Sequence, residues 1–386
     1  MRTFDAAARL IGAALMQLAK VAWHNQPSAP LNRSTFMRSK ESFGQFVVDT
    51  PAGGRILDRS NLEERRPRRR SAPFRDPETH RRPPPPFDLV GVTLAWNATT
   101  RLPTRVVLKA SRVGFGREEL PFYQTIARRL TCPAVPQYFA GGTDELTGRT
   151  WLLMEDLSDP HERPSEAPLP PTFARGTQLV EALAQFHAAG WNSAAWENTG
   201  PTLWQRLQSS EWLEPASARL FNQAGDALDS RTRGIYAQLL SDFPTVVERS
   251  EQLQGKTLVH GDAHVWNWML PRNATLDMPK LIDWDGWHVG VGVWDLAYMM
   301  APHWDCEVRQ RFEIQLLDRY YGALVASGVR GYSREALQED YRLAVPLHLR
   351  TPIARFSRKI SAYVWWPQLV RIQHAVEDLR CIEMLN

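Results

Sequence analysis

Residues 258 to 271 read LVHGDAHVWNWMLP, with an acid (Asp262) and an amide (Asn267) five positions apart in a largely apolar run. A second acid, Asp283, closes the apolar run KLI 21 residues after Asp262. Far upstream Lys109 ends RVVL, and Glu119 follows in GREELPFY. Polar groups that interrupt or end buried runs lose hydration, so each needs a partner or a task. Phosphoryl transfer from ATP supplies tasks for all five. One carboxylate orients the attacking hydroxyl and accepts its proton, while an amide and a second carboxylate hold Mg2+ against the phosphates. A lysine steadied by a glutamate neutralises phosphate oxygens. The Asp-x-x-x-x-Asn spacing suits a loop that turns into a short strand, so that both side chains face one metal. The plainer alternative is a loop capped by polar side chains. Independent agreement from Lys109 and Asp283, both outside that run, favours chemistry.

The elements that position these residues are legible. FDLVGVTLAW and TRVVLKAS are β-rich runs joined by NATTRLP, and they predict neighbouring antiparallel strands. GREELPFYQTIARRL has helical spacing, with Pro121 in the first turn and Glu119, Phe122 and Ile126 on one face. That face selects Glu119 over Glu118 as the partner of Lys109. TWLLMEDL is a short strand ending at Glu155 and Asp156, and SDPHERPSEAPLPP breaks all periodicity, as a linker does. Beyond it lie helical runs. FARGTQLVEALAQFHAAGW carries Leu179, Leu183 and Phe186 on one side, and RFEIQLLDRYYGALVASG and the long PLHLRTPIARF…AVEDL follow. GKTLVHGDAHVWNWMLP and PKLIDWDGWHVG, embedded among the helices, predict a hairpin with Asp283 on its second strand. His260 is expected to bond backbone near that hairpin, His187 to be a satisfied core histidine, and the tryptophans to be mostly core.

The 386 residues, 43% hydrophobic and 23% charged, are enough for one bilobal domain or two domains. No apolar run is long enough for a membrane helix. Three widely spaced cysteines (Cys132, Cys306, Cys381) suggest neither a disulfide framework nor a zinc site, so a cytoplasmic setting is expected. The net charge of +4 is concentrated in one stretch. Arg55 to Pro86 holds ten Arg, five Asp and Glu and seven Pro, a net of +5 that leaves about −1 for the rest. Such a segment cannot bury enough apolar area to fold alone. Residues 1–30 are expected as a helical segment and 31–86 as an Arg/Pro-rich part, disordered or irregular. A β-rich lobe over 87–157 and a mostly helical lobe over 158–386 then give an α+β chain. Neither a nucleic-acid nor a membrane partner follows from this charge distribution, and no protein partner is inferable.

HGDAHVWN, LIDWDG and VGVWDLAYMM resemble the aminoglycoside phosphotransferase and choline kinase group of protein-kinase-like enzymes, nearest to its ecdysteroid-kinase-like branch and related bacterial phosphotransferases. The resemblance runs from about Phe87 to the C-terminus and implies a bilobal protein-kinase-like fold using ATP and Mg2+. It implies Asp262 as catalytic base, Asn267 and Asp283 as metal ligands, and Lys109 with Glu119 as the phosphate-binding pair. It also implies Glu155 and Asp156 as a hinge whose backbone binds adenine, and Asp295 as the buried acid bracing the catalytic loop. One departure stands out. The family places a glycine-bearing turn between its first two strands, and RDPETHRRPPPPF, just before the Phe87 strand, has no glycine. ESFG (41–44) and AGG (52–54) are the nearest candidates, so the first strand is displaced, disordered or missing. This leaves two rivals to a small-molecule kinase. One is a kinase-fold binding protein with weak or no turnover; the other is a metal-dependent hydrolase using His260, Asp262 and His264. The C-terminal half has no dense acidic cluster for a cationic acceptor, and its aromatic richness points to a neutral or lipophilic hydroxyl compound.

Overall fold

The computed structural model of the chain describes residues 46–49, 55–57, 87–94, 103–163, 171–208, 210–274 and 277–384. Strands are β1 (Phe46–Asp49), β2 (Arg55–Leu57), β3 (Phe87–Leu94), β4 (Arg105–Ser111), β5 (Tyr138–Thr143) and β6 (Thr150–Glu155). They continue as β7 (His161–Glu162), β8 (Lys256–Val259), β9 (Trp268–Pro271), β10 (Lys280–Leu281) and β11 (His288–Val291). Helices are α1 (Glu119–Pro121), α2 (Phe173–Gly190), α3 (Leu203–Gln208), α4 (Leu213–Ala224) and α5 (Ser230–Ser250). The remainder are α6 (Gly292–Met300), α7 (Cys306–Ala326), α8 (Arg334–Leu347), α9 (Arg350–Ser357) and α10 (Ala362–Asp378). The chain is therefore α+β, and it divides into two compact units. One runs to Arg129 and takes in Pro136–Asp159, while the other holds Leu130–Val135 and everything from Pro160 onward.

The first unit is a six-stranded sheet in the order β2-β1-β3-β4-β6-β5. β3 and β4 pair antiparallel from Phe87↔Ser111 to Thr93↔Arg105, the neighbouring strands that their composition predicts. Alternation along β4 places Val106, Leu108 and Ala110 on one face with Val92, Phe139, Trp151 and Leu153, and sends Lys109 to the other. β1 pairs with β3, and β2 with β1, so two strands lie inside the 31–86 stretch expected to be irregular. Runs of three and four residues gain order here because the edge of β3 offers a ready ladder. A strand preceding β3 thus exists, displaced upstream of the Arg/Pro segment. The candidate turns ESFG and AGG, the expected helix over 1–30 and most of 31–86 lie outside the described residues.

Glu119 begins the expected helix, but it is α-helical only to Pro121, π-helical over Phe122–Ile126 and 3-10 over Ala127–Arg129. The Thr125 hydroxyl donates to the Pro121 carbonyl at 2.6 Å, taking the acceptor that Thr125's own N–H would use in an α-helix.

The second unit is mostly helical. Leu179, Leu183 and Phe186 of α2 are buried as expected, and Phe173 of α2 packs at a tilt against Phe312 of α7, ring centroids 5.2 Å apart. β9 pairs with β10 and β8 with β11, giving two small ladders where one hairpin was expected. The stretch read as a structureless linker contains β7, which pairs with β9 through His161↔Pro271 and Glu162↔Leu270. Trp268, Trp284 and Trp287 are fully buried around the ladders, whereas Trp266 is exposed.

Candidate active site

In the first unit Lys109 and Glu119 form a buried ion pair, with Nζ 2.7 Å from one carboxylate oxygen and 2.9 Å from the other. The lysine Nζ also stands 4.6 Å above the Phe87 ring. Glu118 is exposed, so the helical face picked the right glutamate. At the end of β6 both carboxylates are tied back into their own unit. Glu155 accepts from the Gln137 N–H at 2.7 Å and donates its own N–H to the Gln137 carbonyl at 3.0 Å. Asp156 pairs with Arg105 at 2.9 Å and accepts from the Ser158 N–H at 3.0 Å.

In the second unit the loop after β8 is held from beneath by Asp295, which is fully buried on α6. Its two oxygens accept from the backbone N–H of His260 at 2.7 Å and of Gly261 at 2.8 Å, and His187 Nε2 lies 3.2 Å away. His187 is in turn bonded through Nδ1 to the Tyr320 hydroxyl at 2.7 Å. Burial works to raise the Asp295 pKa, but the His187 contact and the loop N–H groups hold it below the usual carboxylate value. Gly261 has φ +79, and a Cβ there would sit 2.2 Å from the Gly286 carbonyl oxygen. Only glycine lets the loop press against that turn. His260 Nε2 donates to the Ile282 carbonyl at 3.0 Å and Nδ1 accepts from the Asp262 N–H at 3.2 Å. Burial lowers its pKa, and with both ring nitrogens engaged the neutral ring has no lone pair left for a metal.

Asp262 itself is half-buried. Its Oδ1 accepts from the Tyr298 hydroxyl at 2.6 Å, and its Oδ2 lies 3.2 Å from Asn267 Nδ2 and 3.5 Å from His264 Nε2. Asn267 Nδ2 also donates to the Asp262 carbonyl at 2.8 Å. Both partners are acceptors, which fixes the amide nitrogen on this side and turns the Asn267 oxygen the other way. The Ile282 N–H donates to the Asn267 carbonyl at 2.8 Å, so Asp283 is the next residue along from that tie. Asp283 takes the left-handed conformation, φ 68 and ψ 63, unusual for a residue with a side chain. No group of three or more His, Cys, Asp or Glu side chains gathers as a metal site among the described residues.

The model of the phosphotransferase enzyme family (APH) matches residues 96–336, more than half of the chain. The chain belongs to that family. It is accordingly an enzyme of a phosphotransferase family. No curated protein matches it in sequence. Among solved structures, an ethanolamine kinase of Plasmodium vivax is similar at 10% identity and a TM-score of 0.49, covering 76% of this chain and 80% of that one. A microcompartment-associated aminopropanol kinase is similar at 13% identity and a TM-score of 0.49, covering 78% and 93%. A streptomycin–ATP ternary complex of APH(2'')-IIa is similar at 12% identity and a TM-score of 0.38, covering 92% and 97%.

For this phosphotransferase, sequence reasoning missed Tyr298 and Arg355. Tyr298 sits in WDLAYMM, three residues after Asp295, where it reads as one more apolar helix residue. Burial and the neighbouring Asp262 raise its pKa well above 10, so its hydroxyl keeps its proton and donates it to Asp262. Arg355 donates to the same hydroxyl oxygen at 3.2 Å. No local spacing signals either contact. Among the described residues no helix is long and apolar enough to cross a membrane.

Proposed function

We propose that this phosphotransferase moves the γ-phosphoryl group of ATP to a hydroxyl of a small molecule, with Asp262 as base. The observation that carries the reading is the state of Asp262. It is a carboxylate that solvent still reaches, with its orientation fixed by Tyr298 and Asn267, on a loop pinned by a fully buried acid. In the step, the acceptor oxygen bonds to the γ-phosphorus while the bond from phosphorus to the bridging oxygen breaks. ADP leaves with that electron pair, and the hydroxyl proton passes to Asp262. Positioning and electrostatics account for most of such catalysis, so a pre-oriented base matters more than a strong one.

The Asn267 amide oxygen, turned away from Asp262, and the Asp283 carboxylate are hard oxygen donors of the kind Mg2+ takes. When bound there, Mg2+ would neutralise charge on the phosphate oxygens. Within the first unit Lys109, steadied by Glu119, is the phosphate-binding group of this reading. Because the Glu155 and Asp156 side chains are tied to Gln137 and Arg105 and the Glu155 N–H is already bonded to the Gln137 carbonyl, the remaining backbone groups around them are what this reading offers to adenine.

An assay of ATP consumption over a panel of hydroxyl compounds tests the proposal. Asp262→Asn should lower acceptor-dependent turnover by about 10²–10⁴-fold, the range of general-base contributions, while leaving ATP-induced thermal stabilisation in place. Asp283→Ala should remove the part of that stabilisation that depends on Mg2+. Undiminished turnover in Asp262→Asn would sink the assignment.

A further inference from the structure

A cavity of about 830 Å³ opens within the second unit. Gly261 and Tyr298 line it, and the Tyr298 hydroxyl bonds Asp262, so the cavity adjoins the base. Its lining includes four arginines, Arg206, Arg219, Arg350 and Arg358, and neither Asp nor Glu. Among the described residues Arg219, Arg350 and Arg358 have no carboxylate within ion-pairing distance. Arg350 donates to the Arg206 carbonyl at 2.8 Å and lies 5.6 Å above the Trp212 ring. Its burial, and the like charge of Arg206, bring its pKa down to about 10. Guanidinium groups such as Arg219, Arg350 and Arg358, gathered without a carboxylate in reach, repel one another, an arrangement a fold keeps when an anion joins it.

Two further groups on the cavity wall are orphaned. Trp294 Nε1 is buried without a hydrogen-bond partner. His288 is 2% exposed; its Nδ1 bonds the Gly286 carbonyl at 2.9 Å, which makes its buried, unpartnered Nε2 an acceptor. Burial, with Arg206 nearby, holds His288 neutral by pushing its pKa down to about 4. Folded proteins leave few buried polar atoms unsatisfied, and here two of them converge on one wall with the arginines.

We propose that this cavity receives the phosphoryl acceptor, and that the acceptor is an organic anion carrying a carboxylate or phosphoryl group as well as its hydroxyl. The inference rests on the reading of Asp262 as base and adds the substrate class. The arginines take the anionic end, Trp212 and Trp294 flank the body of the molecule, and the Trp294 N–H and His288 Nε2 supply one donor and one acceptor. The aromatic walls agree with the sequence-level expectation, but the charge differs. A neutral or lipophilic compound would leave the guanidinium groups unanswered, and an ammonium compound would add to their repulsion.

Four matched compounds test this: para-(hydroxymethyl)benzoate, para-(hydroxymethyl)phenylphosphonate, para-(hydroxymethyl)benzamide and para-(hydroxymethyl)benzylamine. Binding of each to the full-length protein is measured by calorimetry at up to millimolar concentration, and turnover with MgATP is measured alongside. The benzoate, the phosphonate or both should bind at least about tenfold more tightly than the amide and amine, a factor matching one charge-assisted hydrogen bond. Which of the two binds better separates carboxylate from phosphoryl recognition. Arg350→Gln should erase the preference. The Arg219→Gln/Arg358→Gln double variant, at two exposed positions, should reduce it even if Arg350→Gln fails to fold. Equal binding across the series, a preference for the amine, or no anion binding at all would overturn the proposal. Turnover reports separately on the base: a neutral or cationic compound phosphorylated in an Asp262-dependent way keeps the kinase reading and removes this one.

Discussion

The stretch 260–262 and the cavity beside it treat their polar groups in opposite ways. In the loop, the buried N–H groups of His260 and Gly261 reach Asp295, His260 uses both ring nitrogens, and Asp262 takes a hydroxyl on one oxygen and an amide on the other. In the cavity, among the described residues, the guanidinium groups of Arg219, Arg350 and Arg358 stand without carboxylates, and Trp294 Nε1 and His288 Nε2 have no partner. Satisfied buried groups rigidify their surroundings, whereas unsatisfied ones store a preference for whatever completes them. The contrast therefore separates the part of the second unit that must not move from the part that waits for a molecule.

The most severe way to break the contrast is to orphan the loop as well. Asp295→Ala leaves the His260 and Gly261 N–H groups and His187 Nε2 without their acceptor, all in full burial. We expect a stability loss of about 4 kcal/mol in urea unfolding, with turnover falling in parallel. A loss under about 1 kcal/mol would mean the loop does not depend on this acid.

An intermediate effect comes from acid. His288 and His348 have pKa values lowered to about 4 and about 3, chiefly by burial, from an ordinary value near 6.5. Between those values the unfolded chain holds protons that the folded chain does not, so stability rises with pH across the window. It is complete above about pH 6.5 and is lost as pH falls towards 4. Denaturant unfolding at pH 7.5 and pH 5 should differ on the order of 3 kcal/mol from these two imidazoles, with proton uptake on unfolding at the lower pH. Proton release there would contradict the neutral assignment of His288, and with it the acceptor role given to its Nε2.

The smallest effect sharpens the comparison instead of breaking it. Trp294→Phe keeps a ring in the cavity wall and removes only an N–H with no partner in the fold. Stability should change by about 1 kcal/mol or less, while anion binding weakens about fivefold. A larger fall in stability than in binding would place that N–H in the fold's own support.

Much of the candidate site's local structure was legible in the sequence. Lys109 stood out as the end of an apolar strand, helical spacing chose Glu119 over Glu118 as its ion-pair partner, and Asp262, Asn267 and Asp283 fall within 22 residues around short ladders. His260 and His187 behaved as backbone-bonded and core histidines for the same local reasons. The misses are non-local. β1 and β2 are ordered by the edge of β3, across a segment that reads as structureless, and β7 gains its order from β9.

The sequence by itself determined the class of fold, because short-range periodicity constrains strands and helix faces directly, and its motifs carried a family resemblance that the family model bears out. Only the tertiary structure decided what surrounds the candidate site residues. It set Tyr298, 36 positions away, on the Asp262 carboxylate, and it gathered Arg206, Arg219, Arg350 and Arg358 from distant parts of the chain around one cavity. A guanidinium's partners depend on which helix faces meet, and a chain carrying 46 Lys and Arg against 42 Asp and Glu gives no sign of which of those cations will gather around a cavity with no Asp or Glu in its lining.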